Sequence, residues 1–170
     1  MLLNPGGARA GDIAFIPWLL TLFVSGAAFG LFFLQTGLDR LSAGTANWAG
    51  VGLLAALGCV FGTLGVLSLA LVAWILLSLG GSKAAPKDVI RAFALAYSPT
   101  LVAVSLGLVA HLLLGWRTAV AFGVTGVLWA LGPINSTLRR MSGGKTLLSL
   151  ALASVCGALL LLGWGLLGGL

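Results

Sequence analysis

Asp12, Asp39 and Asp88 are the only carboxylates in the 170 residues, and His111 is the only imidazole. Any acid–base, nucleophilic or metal chemistry has to be assembled from that short inventory. All three aspartates stand at the boundaries of apolar runs. An ion-coupled transporter or proton relay places an ionisable group inside the bilayer, so these positions argue against that class. His111 lies about one turn from the end of an apolar run, where an imidazole could hold a metal or a pigment. No second ligand neighbours it in the sequence, and hydrogen bonding at the interface is the plainer reading.

Ser78, Ser98 and Ser105 offer hydroxyls, but with His111 they give no spacing that sets a nucleophile, a base and an orienting acid together. Gly143-Gly144-Lys145-Thr146 ends like a phosphate-binding loop, yet the upstream glycine is missing and no strand precedes it. Cys59 and Cys156 sit inside apolar runs with no Cys-x-x-Cys pair and read as small buried hydrophobes. Tyr97 lies close to Pro99 and is expected to satisfy a backbone carbonyl that the proline frees. No enzyme, cofactor or metal centre is expected from these residues.

The remaining chemistry is basic. Six of the nine Lys and Arg residues fall in two short segments: Lys83, Lys87 and Arg91 in the first, Arg139, Arg140 and Lys145 in the second. The formal charge is +6. These cations cap apolar runs instead of lining a polar element, so nucleic acid is not the expected partner. Anionic lipid headgroups are.

The elements that position them are dictated by composition. With 60% hydrophobic and 7% charged residues, there is too little polar surface to cover a soluble core. The chain reads as a single all-α membrane domain with five transmembrane helices, over about 13–38, 58–79, 89–115, 118–138 and 146–168. The first run is longer than a signal-peptide core and reads as a retained span, with Pro17 in its first turn. The uncharged run 48–79 covers 32 residues, about 48 Å if helical. That is long for one upright span, and two spans of 16 would each fall short of a core of about 30 Å. A break near Gly58 and Gly62 is therefore expected, with 48–57 interfacial or partly inserted. Pro86-Lys87-Asp88 reads as a helix start. Pro99 and Pro133 are expected to bend their helices.

Five crossings put Arg9, Lys83, Lys87, Arg91, Arg139, Arg140 and Lys145 on one side and leave Arg40 and Arg117 on the other. The positive-inside rule then predicts an inside N-terminus and an outside C-terminus. Trp18, Trp74 and Trp129 fall near predicted inside ends, and Trp48, Trp116 and Trp164 near outside ends, as an aromatic belt would. Gly26 with Gly30, Gly58 with Gly62, and Gly165 with Gly169 form small-xxx-small pairs. They suit internal packing first, and a dimer face or contact with another membrane protein second.

From the late second run onward the chain resembles the Yip family, the Ypt/Rab-interacting membrane proteins. The residues that carry this are Gly80-Gly81-Ser82-Lys83, Lys87-Asp88-Val89, Ala96-Tyr97-Ser98-Pro99, Trp129, Leu131-Gly132 and Met141-Ser142-Gly143-Gly144-Lys145, over about 100 residues. The resemblance implies five spans, an inside N-terminus and a small protein of the bacterial cytoplasmic membrane. Eukaryotic members carry a long cytosolic N-terminal region where about twelve residues stand here, so Rab binding does not carry over. The family offers no catalytic residue to transfer.

Three functions compete. The leading expectation is a non-enzymatic scaffold that organises lipids or partner proteins through the basic segments. The second is an accessory subunit of a larger membrane complex. The third is a channel or lipid-translocating protein that uses a groove opened by the broken second span and the proline kinks.

Overall fold

A computed structural model describes residues 18–168 and the side chains from Leu20 to Gly163 together with Gly165. The expectations for Arg9, Asp12, Pro17 and Gly169, and for the Trp18 and Trp164 side chains, lie outside the described residues. Six helices follow one another: α1 Trp18–Ser42, α2 Trp48–Leu79, α3 Pro86–Ala96, α4 Ser98–Leu114, α5 Ala119–Met141 and α6 Thr146–Gly168. With α3 and α4 taken together as Pro86–Leu114, five of these segments are long and apolar enough to cross a membrane. This is the architecture of a multi-pass integral membrane protein.

The long apolar run is one unbroken helix, which corrects the expected break at Gly58 and Gly62 and the separate segment 48–57. It starts at Asn47, whose side-chain oxygen accepts from the Gly50 N–H at 2.9 Å, and it stops at Gly80-Gly81, where Gly81 takes φ +89°. The glycines serve packing instead. A Cβ on Gly58 would stand 2.5 Å from the Phe29 carbonyl oxygen, and one on Gly62 2.5 Å from that of Ser25. From the other side, Gly26 faces Thr63 and the Cys59 carbonyl, and Gly30 faces Cys59 and Ala55. Two small-xxx-small pairs are thus set against each other, and α1 and α2 approach to backbone contact. In lipid, where apolar side chains gain nothing by leaving the solvent, such close van der Waals packing is a principal force holding helices together.

The break occurs in the third span. Pro99 has no N–H for the Leu95 carbonyl, and its ring crowds that carbonyl. Helix α3 accordingly ends at Tyr97, at φ −85° and ψ 2°, and the Tyr97 carbonyl starts α4 by accepting from the Thr100 and Leu101 N–H groups at 3.0 and 3.3 Å. Pro133, by contrast, is carried inside a continuous α5. Asp39 and Arg40 do not end α1, which continues to Ser42, and Arg139 and Arg140 belong to the last turn of α5. The longer α5 puts Trp129 at mid-helix, about 15 Å from either end at 1.5 Å per residue. It is therefore not near an end, as the belt reading expected.

Helix α1 is the most enclosed span and contacts α2, α3, α4 and α5, while α2 and α6 lie at the periphery. Leu53, Val60, Leu64 and Val72 on α2 face outward, as lipid-facing residues do. The inner cluster is aromatic around Phe29, whose ring centroid lies 5.5 Å from that of Phe61 and 6.2 Å from that of Tyr97.

Candidate functional site

The chain gathers polar residues at both ends of the bundle, and the two ends are built differently. At the first, the α2–α3 and α5–α6 connections meet. Ser82 donates its hydroxyl to the Met141 carbonyl at 2.7 Å and accepts from the Ala84 N–H at 3.3 Å. Lys145 Nζ donates to the Gly80 carbonyl at 2.9 Å. Trp74 Nε1 donates to the Ala84 carbonyl at 3.2 Å, which ties the same loop back to α2. Gly143 and Gly144 take φ +68° and +90°, and the Gly144 N–H reaches the Arg139 carbonyl at 2.8 Å, closing the end of α5. Two segments 59 residues apart at the Ser82–Met141 bond become one surface.

Five of the six candidate contact residues, Lys83, Lys87, Arg139, Arg140 and Lys145, are exposed on that surface. Arg139 and Arg140 stand at the C-terminus of α5, where the helix dipole favours positive charge. Arg91 is different. It lies 3.7 Å from Asp88, its side chain is only 11% exposed, and its Nε is buried without a hydrogen bond. Arg91 is thus turned into the bundle end and is a poor contact residue.

At the opposite end, α1, α4 and the start of α5 converge. His111 Nδ1 lies 3.3 Å from Asp39 Oδ1, with the two side chains 16% and 23% exposed. The sequence gave His111 no second ligand; the fold supplies one from 72 residues away. One turn deeper, Gln35 is enclosed and donates Nε2 to the Val104 carbonyl at 2.6 Å. That bond fixes which amide atom is which, since a carbonyl can only accept. Gln35 Oε1 therefore points at Gly107, 2.8 Å from where a Cβ would stand. The missed signal was a pair of i, i+4 spacings, Gln35/Asp39 and Gly107/His111, each of which puts two positions on one helix face.

Other expectations resolve individually. Tyr97 is fully buried, but its hydroxyl bonds no carbonyl, contrary to the role expected beside Pro99. Ser105 turns its hydroxyl to the Leu101 carbonyl of its own helix at 2.8 Å. Gly165 is exposed, with nothing within 4 Å of an added Cβ. The continuous α2 leaves no break from which a groove could open. Between the two ends, Phe29, Phe32, Thr100, Val104, Gly123 and Val127 enclose about 10 Å³, room for about one water.

Compared with known protein families, curated proteins and solved structures, the chain matches none.

Proposed function

We propose that this protein is a non-enzymatic membrane scaffold of Yip-like type, whose basic end lies against the anionic inner leaflet of a bacterial cytoplasmic membrane and gathers lipids and partner proteins there. The N-terminus is then inside and the C-terminus outside. The observation that carries this reading is the pair of bonds Ser82–Met141 and Lys145–Gly80, which merge two loops into one exposed basic surface. A fixed cluster of cations at a membrane end attracts anionic headgroups by about 1 kcal/mol per basic side chain at moderate salt. Lys83, Lys87 and Arg139 are the strongest contributors because they are exposed and outside the loop-to-loop bonds.

The test is lipid retention. Protein extracted in mild detergent from membranes of mixed phosphatidylglycerol and phosphatidylethanolamine should carry phosphatidylglycerol in native mass spectra, and the triple variant Lys83→Gln, Lys87→Gln, Arg139→Gln should lose most of it. Robust substrate turnover, or gradient-driven uptake in liposomes, would overturn the scaffold reading.

A second reading, an accessory subunit of a larger complex, is favoured by the unpacked Gly165 on the peripheral α6. Copurification from native membranes decides it. A stable monomer or homodimer without partners counts against a complex.

A further inference from the structure

We propose that the junction of α1, α4 and α5 beside His111 is a binding site for a divalent first-row transition-metal ion such as Zn²⁺, with Asp39 Oδ1 and His111 Nδ1 as its two principal ligands. Their separation is the first reason. A charge-assisted N–H···O bond brings its heavy atoms to about 2.7–2.9 Å. These two atoms are 3.3 Å apart, and they do not form a hydrogen bond. Two ligands about 2.05 Å from a common tetrahedral ion stand about 3.3 Å from each other.

The chemistry of the surroundings is the second reason. Gln35 Oε1, Asp39 Oδ1, His111 Nδ1 and Thr118 Oγ1 are all buried without a hydrogen-bond partner. Gln35, at 1% exposure, is the most enclosed. A carboxylate and an amide oxygen are acceptors only, so this group has a surplus of lone pairs and calls for a cation. Gln35 lies one turn from Asp39 on the same face of α1, close enough for both oxygens to reach one ion. Gly107 lies one turn from His111 on α4, and its bare Cα leaves space for the Gln35 amide; a Cβ there would also meet Phe122 at 2.8 Å. Because Phe122 packs against Gly107, Thr118, four residues before it on α5, falls on the face that looks toward His111.

The donor set of one imidazole nitrogen and up to three oxygens suits Zn²⁺, Ni²⁺ or Mn²⁺ better than a soft Cu(I) site, which would use sulfur. Among the described residues no third His, Cys, Asp or Glu joins the pair. The amide, the hydroxyl and water therefore complete the coordination, which leaves an open position. Arg40 and Arg117 are the other charged residues at this end of the chain. They oppose a second cation and set the expected stoichiometry at one ion.

The experiment uses the full chain, purified in detergent without a polyhistidine tag. Zn²⁺ should bind at one equivalent, and Co²⁺ should give the visible absorption of a low-symmetry site. Because His111 is the only imidazole, the ¹⁵N resonance of its Nδ1 reports ligation in the wild-type protein, whatever becomes of any variant. Addition of Zn²⁺ should move that resonance. Asp39→Asn and His111→Gln should each weaken binding by more than about 100-fold, and Gln35→Leu by about 10-fold. Lys83→Gln, at the far end, should change nothing. An unmoved ¹⁵N resonance at saturating Zn²⁺ would overturn the proposal, as would Zn²⁺ affinity retained in both Asp39→Asn and His111→Gln. Either result makes Asp39 and His111 an ordinary ion pair that clasps α1 to α4.

Discussion

Toward α2, α1 presents Gly26, Gly30, Phe33 and Gly37. Two positions further along, and so about 200° around the helix, it presents Phe32, Gln35 and Asp39 to α4 and α5. The first face is small and apolar and closes until backbones touch. Along it, van der Waals contact does the holding, and contact of that kind forgives no added atom. The second face carries an amide and a carboxylate into a bundle with few partners for them. Burying such acceptors without donors costs stability. The difference teaches that the two seams of one helix serve different ends: the α2 seam holds the fold together, and the α4/α5 seam keeps polar atoms in place at a cost.

The sharpest way to break this contrast is one substitution made twice on α2. Gly62→Ala puts a Cβ 2.5 Å from the Ser25 carbonyl, whereas Gly65→Ala meets only the Phe61 ring at 3.8 Å. The first should lower the unfolding free energy by about 2–3 kcal/mol. The second should leave it unchanged or raise it by up to about 1 kcal/mol through helix propensity. Reversible denaturation in mixed detergent micelles measures both. Equal effects at the two positions would mean that the α1–α2 seam is not closed to backbone contact.

A smaller effect is expected on the polar side. Gly107→Ala sets a Cβ 2.8 Å from Gln35 Oε1 and from the Phe122 Cβ and Cγ. The Gln35 amide can swing away, while Phe122 is held by α5, so the loss should be about 1–2 kcal/mol. Adding Gln35→Ala should recover part of it, because the displaced amide is then gone. If the double variant is as unstable as the single one, the clash is with Phe122 alone, and Gly107 is not making room for the amide.

These two seams also show how far the sequence can be read. Five spans follow from uninterrupted apolar runs, because the bilayer requires length and apolarity of each element separately. Pro99 is equally legible, since its missing N–H acts within its own helix. Gly58 and Gly62 mislead for the opposite reason. Along one chain a glycine signals flexibility, and only the facing Phe29 and Ser25 carbonyls, some 33 and 37 residues earlier, turn it into a packing residue. The Asp39–His111 pair is hidden in the same way: each residue alone marks a span end, and their pairing exists only once α1 and α4 are set side by side. The basic residues announce a charged end, but the sequence does not reveal that Arg91 turns inward or that Ser82 and Lys145 stitch the two segments together.

The smallest expected change is the most informative about the polar seam. Gln35→Leu keeps the volume close to that of the amide and removes its bond to the Val104 carbonyl, and such a bond between membrane helices contributes on average about 0.6 kcal/mol. The same substitution deletes the buried Oε1 that accepts from no donor, which is a gain of similar size. Stability should therefore stay within about 0.5 kcal/mol of the wild type. A loss of 2 kcal/mol or more would make Gln35 a structural clamp, and the two faces of α1 would then differ in chemistry but not in purpose. A neutral result leaves Gln35 enclosed at the α1–α4 contact with no stabilising role to explain it. Its retained acceptor would then have to be accounted for by what the Asp39 and His111 end of the bundle binds.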